Sequence, residues 1–456
     1  MNSKTDILFI YPPTGWDKEA MHIAENDAPP LGLLYVAAAA RAAGMKVAIL
    51  DMNHPRLDES GLAKHIAKNP PALIAFSTLT TGAPQTKRLV AMLKGRFPAI
   101  PLIAGGIHPT VLPLDMLNAG VDYVVQGEGE STIVELARAL LDQRAVEEVP
   151  GIAFPPPAAS TAARGRSKTA TPAFVQTASR PPEPDLDILP LPARDLVTIQ
   201  DYGQSGALCS TRGCPNACSF CSSVLANGHK YRQRSIAKVR EEMDQMNASN
   251  GIQHFQFLDD NFTADPDRAA ALAASVLDRG FIWSCQTTVM ELAEKLDVLD
   301  LMFASGCREI YFGLETGSRR LLRECKGIEL DAAMTVLTHA ASLQNGRAGS
   351  KFNRLQTVVG FIVGHPEDDE QSIEETVQLA LKLRRLGIDT MLSILQPYPG
   401  SMIHRSPGKY GVTIESNEYA QYLYPKANIS TRHLKRDRIR ELYASGLLRI
   451  MQTYNK

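Results

Sequence analysis

The 456-residue sequence is sparing with cysteine: it has seven, and none precedes Cys209. An odd, sparse set is a poor disulfide framework. No signal-peptide h-region precedes it, since Met1-Asn2-Ser3-Lys4-Thr5-Asp6 leads straight into an apolar run. A reducing, cytoplasmic setting is the expectation. Charge of one sign is also missing. The net charge is −1 with both signs mixed along the chain, which leaves no basic footprint for nucleic acid and no polybasic membrane patch. Long hydrophobic runs are absent too. The most apolar early stretch, Leu31 to Ala40, meets Arg41, short of the roughly 20 residues a membrane span needs. No GxGxxG follows the first apolar run, which disfavours a dinucleotide-binding domain.

What cysteine there is lies concentrated. Cys214, Cys218 and Cys221 form CxxxCxxC within eight residues. Three soft thiolates on one short loop suit a cubic iron–sulfur cluster with one iron left open for a ligand. Half of a zinc site is the alternative, but structural zinc usually takes four protein ligands. Cys209 reads as a strand-end residue. Cys285, Cys307 and Cys325 are scattered singly and read as buried free thiols. No second cysteine group follows, so no auxiliary cluster is expected.

Two stretches of strand–helix alternation frame the motif, so the fold class is α/β. In residues 1–145 the expected strands are Ile7–Tyr11, Lys46–Leu50, Leu73–Ser77, Pro101–Ala104 and Val121–Val125. The helices between them begin near Leu31, Leu62, Gln85 and Ser131. This is the rhythm of a doubly wound, Rossmann-like sheet, which binds ligands beyond the carboxyl ends of its strands. Those ends are the loops Tyr11–Gly15, Asp51–His54, Ser77–Gly82, Gly105–Thr110 and Gln126–Glu130. Residues 146–200 read as a linker, rich in Pro, Ala, Ser and Thr from Pro155 to Pro184. Within 201–400 six further strands are expected, starting near Ala207, His254, Trp283, Glu309, Leu355 and Thr390. They are compatible with a partial (β/α)6 barrel, whose chemistry gathers at the carboxyl ends of the strands. Residues 401–456 read as a short polar tail with a terminal helix from about Leu434 to Thr453, closing the barrel's open side or covering the substrate.

With Phe220 between the last two cysteines, CxxxCxxC resembles the radical S-adenosylmethionine (radical SAM) superfamily. Pro29-Pro30-Leu31-Gly32-Leu33-Leu34-Tyr35, Ala104-Gly105-Gly106-Ile107-His108-Pro109-Thr110 and Gly127-Glu128-Gly129-Glu130 further resemble its cobalamin-dependent branch. The resemblance implies an N-terminal cobalamin-binding domain followed by the radical SAM barrel. It implies a 4Fe-4S cluster on Cys214, Cys218 and Cys221 whose open iron is chelated by SAM. For SAM it implies contacts from Phe220, Asp259, Asp260, Glu315, Thr316, Ser318, Gly360, Ile362 and Gly364. For cobalamin it implies Pro13, Thr14, Asp51, Ser77, Thr78, Gly105, Gly106, His108, Gly127 and Glu128. Bland readings stand beside these. Asp259 and Ser318 can be helix caps, with Asp265 a rival cap for the helix after the second barrel strand. Phe220 can be a core aromatic, and Gly360 can serve close packing. Tyr398 lies near the expected substrate opening and reads as a proton or hydrogen-bond donor, or as part of a rigid Pro-Tyr-Pro-Gly turn.

One departure from the pattern is informative. DxHxxG, whose histidine ligates cobalt in the best-known cobalamin enzymes, is replaced after the first strand by Pro12-Pro13-Thr14-Gly15-Trp16. The implied state is cobalamin bound base-off without a histidine lower ligand. The implied activity is reductive cleavage of SAM to a 5′-deoxyadenosyl radical, hydrogen abstraction from a substrate carbon, and methyl transfer from methylcobalamin. The substrate would be a small natural product or lipid intermediate, and the electron source a reductase such as flavodoxin or ferredoxin. Ring formation, ring contraction or oxidation without methylation is the alternative. A methylthiotransferase is disfavoured by the missing N-terminal cysteines. A non-enzymatic cluster or corrinoid carrier has no need for an open iron.

Overall fold

The computed structural model describes residues 5–14, 27–53, 57–156, 174–343, 354–423 and 425–454. The chain forms two compact units: residues 1–203 with 223–228, and residues 204–222 with 229–456. No helix among the described residues is long and apolar enough to cross a membrane.

The first unit is built on β1 (Ile7–Tyr11), β2 (Val47–Asp51), β3 (Leu73–Ser77), β4 (Leu102–Gly105), β5 (Tyr123–Val125), β6 (Ile152–Phe154) and β7 (Val175–Gln176). They form one sheet in the order β2-β1-β3-β4-β5-β6-β7. The first five strands are parallel and the last two antiparallel. Helices on both faces explain why β1 and β3 read as unbroken apolar runs. Leu8, Ile10, Ile74, Phe76, Leu89, Leu93 and Leu102 close one core layer. The 2-1-3-4-5 order is the flavodoxin-type variant of the doubly wound sheet, and its chain reversal opens a crevice between the ends of β1 and β3.

Two features here depart from the sequence reading. The segment 146–200 contributes β6 and β7, which extend the sheet antiparallel. Ile152-Ala153-Phe154 is fully buried but too short to show a period, and the free edge of β5 decides its pairing. Two short helices, Ile107–Val111 and Pro113–Asn118, fill the β4–β5 connection. The helix Val224–Asn227, just after the cysteines, folds with this unit and packs against Ile107–Val111.

The second unit holds β8 (Ala207–Leu208), the hairpin pair β9 (Thr211–Arg212) and β10 (Arg232–Gln233), then β11 (His254–Phe257), β12 (Ile282–Thr287), β13 (Cys307–Glu315), β14 (Gln356–Val363), β15 (Asp389–Ile394), β16 (Val412–Ile414) and β17 (Ile429–Thr431). Six strands form a parallel sheet in the order β8-β11-β12-β13-β14-β15. Because the order never reverses, right-handed crossovers put every connecting helix on one face, and the sheet curls into an open barrel. Ile310, Phe312 and Leu314 face the helices and are wholly buried. The alternate residues Tyr311, Gly313 and Glu315 face the other side and stay partly exposed, as do Gln256 and Ser284. The aromatic core under the helices is Phe257, Phe262 and Trp283, with ring centroids 4.9 to 5.5 Å apart.

The tail is more ordered than its polarity suggests. β16 and β17 pair antiparallel. The terminal helix Arg436–Met451 packs on helix Glu370–Arg385 and on β15, so it lies on the helix-covered face rather than over the barrel mouth. Gly446 permits that approach, since a Cβ there would lie 2.7 Å from Val377 Cγ2.

Candidate active site

In the first unit the loops at the ends of β1, β3, β4 and β5 are cross-tied into one rim. Gly106 has φ +99°, and a Cβ on it would lie 2.9 Å from both the amide nitrogen and the carbonyl oxygen of Thr78. The Thr78 amide donates to the Gly105 carbonyl at 2.8 Å. Thr110 Oγ1 donates to the Gly106 carbonyl at 2.8 Å and accepts from the Gly127 amide at 3.0 Å. Thr14 donates its amide to Asn53 Oδ1 at 3.0 Å, and a Cβ on Gly82 would meet the Pro13 carbonyl at 3.0 Å. Ser77 is partly exposed at the end of β3. Backbone this close, rimmed by small and hydroxyl-bearing residues, fits a large planar ligand lying on the strand ends. Gly106→Ala is expected to cost about 1–3 kcal/mol and to lower corrinoid retention, read by thermal melting and by bound corrinoid after desalting.

Three polar residues expected at this rim have structural partners instead. His108 is wholly buried, and its Nε2 lies 2.9 Å from Asp115 Oδ2. Burial raises the Asp115 pKa, but hydrogen bonds from His108 and Lys87 overcome that and hold it below the usual carboxylate value. A ring with no exposed surface has none to give a ligand, so His108 is corrected to a buried support. Asp51 accepts from Tyr202 Oη at 2.7 Å and from Asn53 Nδ2 at 2.9 Å. Glu128 accepts from the Glu183 amide at 2.8 Å. His54 and Gly15 lie outside the described residues.

In the second unit the cysteine loop follows β9. Cys214, Cys218 and Cys221 are in no disulfide, and each is partly buried. Burial pushes Cys214 and Cys218 above the ordinary thiol value, while Lys326 beside Cys218 pulls the other way. Among the described residues no three Cys, His, Asp or Glu side chains converge as a single ion requires. A cluster asks for something else: thiols spaced along one loop, each reaching its own iron corner. Three thiols on one loop fit that need. Cys285 and Cys307 are buried as expected, and the Cys307 thiol donates to the Glu309 carbonyl at 3.6 Å. Cys325, read as buried, is exposed at the surface.

The loop is anchored at both ends. On its N-terminal side Asp259, 1 % exposed, accepts from the Ser210 amide at 2.6 Å, the Ser210 hydroxyl at 2.5 Å and the Thr211 amide at 3.2 Å. Arg268 donates to Ser210 Oγ at 3.2 Å, to the Ser210 carbonyl at 3.0 Å and to the Arg234 carbonyl at 3.1 Å. Arg234 is in turn ion-paired with Glu242, both buried. On its C-terminal side the Ser219 carbonyl accepts from the Ile403 amide at 3.1 Å. Phe220 and Ile362 pack against Leu395, Ile403, Val412 and Ile429. Asp259 is therefore corrected from a cofactor contact to a positioning residue, since both its oxygens are engaged inside the protein. The helix cap is Asp265, which accepts from the Arg268 amide at 3.1 Å. Asp260, next in the chain, stays partly exposed and within electrostatic reach of Cys214.

The end of β13 carries the strongest local signal. Glu315 has φ +75°, a conformation that side-chain-bearing residues rarely adopt and that gathers at functional sites. The pairing with β14 slips in register at this point. Its carboxylate curls back over Gly313, where a Cβ would lie 2.8 Å from Oε1. It is ion-paired with Lys326 Nζ at 3.0 Å, with side-chain exposures of only 12 % and 6 %. Burial opposes the Lys326 charge, but Glu315 and the Cys218 thiol outweigh it, and the ammonium titrates above the ordinary lysine value. A cation held between an acid and the cysteine loop is what a zwitterionic ligand needs.

The remaining expected contacts divide. Thr316 is wholly buried and shares hydrogens with Thr376 Oγ1 at 3.2 Å, so it is structural. Ser318 is buried and makes no side-chain cap bond to the helix it precedes. A Cβ on Gly360 would lie 1.8 Å from the Tyr311 hydroxyl oxygen, so this glycine makes room for a tyrosine facing the barrel lumen. Gly364 has φ +87° and donates its amide to Asp368 Oδ2 at 2.9 Å. Tyr398 Oη donates to the Tyr422 carbonyl at 3.3 Å. Tyr398→Phe is expected to cost about 1 kcal/mol of stability while turnover stays near the parent rate, checked by thermal melting and SAM cleavage. Ser210, Arg268, Tyr311, Lys326 and His365 were not singled out from sequence. No local pattern marks them, because each gains its meaning from a neighbour far along the chain.

Comparison with known proteins agrees with both units. Residues 20–137 match the family model for the B12 binding domain, and residues 208–380 match that for the radical SAM superfamily. An uncharacterized methyltransferase of Pyrococcus horikoshii is 30% identical over 407 residues, covering 87% of this chain and 82% of that one. An anaerobic magnesium-protoporphyrin IX monomethyl ester cyclase of Synechocystis sp. is 26% identical over 333 residues, 70% of this chain and 63% of its own length. Among solved structures, the radical S-adenosylmethionine methyltransferase TsrM of Kitasatospora setae, with cobalamin and a [4Fe-4S] cluster bound, superposes with TM-score 0.70 over 92% of this chain and 84% of that one. At 18% identity that likeness concerns the fold alone.

Proposed function

The chain belongs to the cobalamin-dependent radical SAM methyltransferase family, and on that ground we propose that it methylates a carbon of a small natural-product or lipid intermediate. The observation that carries the reading is the juxtaposition of Cys218, Lys326 and Glu315 on one buried edge of the cysteine loop. When bound, the 4Fe-4S cluster, SAM and cobalamin supply reductive SAM cleavage, hydrogen abstraction and a transferable methyl group.

The chain's own residues do the positioning. Cys214, Cys218 and Cys221 hold the cluster. Lys326 takes the carboxylate of SAM and Glu315 its ammonium, so that opposite charges meet inside a poorly solvated site. Phe220 and Ile362 offer an apolar surface. In the first unit, Pro13, Thr14, Ser77, Thr78, Gly105, Gly106 and Gly127 present the strand-end rim for cobalamin. With His108 committed to Asp115, we take the corrinoid to lie base-off without a histidine lower ligand. A one-electron donor such as flavodoxin or ferredoxin completes the system. The cyclase similarity favours one second reading, ring formation without net methylation.

The test uses anaerobic full-length chain reconstituted with iron, sulfide and hydroxocobalamin, then desalted. It is incubated with reductant, methyl-labelled SAM and a small-molecule extract of the source cells. Retained corrinoid with label in a new small molecule supports methylation. Deoxyadenosine formed without label transfer favours ring formation. Failure to retain corrinoid sinks the cobalamin reading.

A further inference from the structure

The cysteine loop reaches the surface, and the segment that clasps it there is cationic. Pro215 and Ala217, both within the cysteine motif, are exposed. The clasping segment follows β15. Its Ile403 amide donates to the Ser219 carbonyl at 3.1 Å, and Ile403 belongs to the apolar cluster against which Phe220 and Tyr410 pack. Residues 397–411 contain no Asp or Glu. They do contain Arg405 and Lys409, both exposed and neither with an ion-pair partner among the described residues. Gly411 ends the turn at φ +62°, and a Cβ on it would lie 2.5 Å from Arg432 Nε. Arg432 is thus a third exposed cation on the same turn, and its pair with Glu367, at 3.2 Å, is itself exposed. His404 is half-buried, and burial holds its pKa below the ordinary histidine value, so it adds no charge at neutral pH.

On a chain of net charge −1 this ridge is a local feature, not a sample of general basicity. Exposed charges on an open surface hold a small anion weakly, because water and salt screen them. Their effect falls on a large partner of opposite charge, whose approach they steer and whose orientation they fix. The loop beneath the ridge sets what that partner must bring. Reductive SAM cleavage needs one electron from outside the chain, and the exposed flank of the loop is an entrance for it.

We infer that the ridge of Arg405, Lys409 and Arg432 is the docking surface for an acidic one-electron carrier protein. This rests on the reading of the cysteine loop as the cluster site. One electron leaves the carrier's reduced centre and enters the cluster, and no atom is transferred.

The experiment takes anaerobic full-length chain reconstituted with iron and sulfide, with flavodoxin as the acidic carrier. Binding of oxidised flavodoxin is measured by calorimetry at low and at high salt. SAM cleavage is measured as deoxyadenosine formed, once with reduced flavodoxin and once with dithionite, which needs no docking. The unaltered chain is expected to bind flavodoxin at low salt and to lose that binding as salt rises. Arg405→Glu combined with Lys409→Glu is expected to weaken binding and slow flavodoxin-driven cleavage roughly tenfold. Iron content and dithionite-driven cleavage should not change. Arg405→Lys combined with Lys409→Arg keeps both charges and is expected to match the parent. Salt-independent binding by the unaltered chain overturns the proposal, as does no binding at all, and neither result requires a variant to fold. Undiminished flavodoxin-driven cleavage by the charge-reversed protein also overturns it. So does an equal fall with dithionite, which marks the two residues as structural. If the unaltered chain cleaves no SAM even with dithionite, the cluster reading fails and the docking surface falls with it. A chain that cleaves SAM but ignores charge at this ridge fails the docking proposal alone.

Discussion

Cys218→Ala leaves a folded chain that retains almost no iron and cleaves SAM only at background under reductant. The fold survives because the loop's anchors do not depend on the thiol. The Ser219 carbonyl keeps its bond to the Ile403 amide, and Phe220 keeps its apolar packing. The cluster is expected to be lost, because under the proposed assignment Cys218 is one of only three thiolate ligands. Partners that only support metal ligands are already worth about 10–100-fold in affinity or activity, and the loss of a direct ligand lies beyond that range. The variant also frees Lys326 from its sulfur neighbour and leaves it to Glu315 alone. Iron analysis, visible absorption and deoxyadenosine formation are the three readouts. A Cys218→Ala protein with parent-level iron and SAM cleavage would end the assignment of this loop.

The second large effect comes from Asp259, whose two oxygens are both engaged inside the protein. Asp259→Ala is expected to lower stability by about 3–5 kcal/mol and to depress cluster yield with it. Three donors lose their acceptor at once, namely the amide and hydroxyl of Ser210 and the amide of Thr211. Arg268 is then left buried without the carboxylate that balances it. These donors sit on the strand pair leading into the cysteines, so the loss loosens the loop's N-terminal anchor. Asp259→Asn keeps one acceptor oxygen and should fall between. Urea unfolding monitored by circular dichroism, paired with iron content after reconstitution, checks this. Unchanged stability with a selective loss of SAM binding would instead restore Asp259 as a cofactor contact.

The comparison of Asp259 with Glu315 shows how far sequence reading reached. Both are acids at the carboxyl end of a barrel strand, and pattern alone treats them alike. Packing separates them. Ser210 and Arg268 draw Asp259 inward, while a left-handed backbone and a register slip turn Glu315 toward Lys326. The same holds for the two histidines at strand ends. His108 meets Asp115 through Nε2, whereas His365 packs edge-on to Phe220. Element type was legible wherever a strand was long and apolar, as in β3 or β14. It was not legible for β6, β7, β9, β10, β16 and β17, each two or three residues long. A period cannot be read in so short a run, and an available sheet edge or hairpin partner decides whether it pairs.

By itself, the sequence determined the chemistry's raw material. Three cysteines on one loop, two α/β alternations and polar strand ends are local facts, written in spacing and composition. The tertiary structure decided which polar groups remain available. That choice depends on partners distant in the chain: Ser210 for Asp259, Lys326 for Glu315, Tyr311 for Gly360, Tyr422 for Tyr398. A buried polar group must be paired at nearly any cost, so folding assigns most of these side chains to one another. Those left over, or held under strain, make the site.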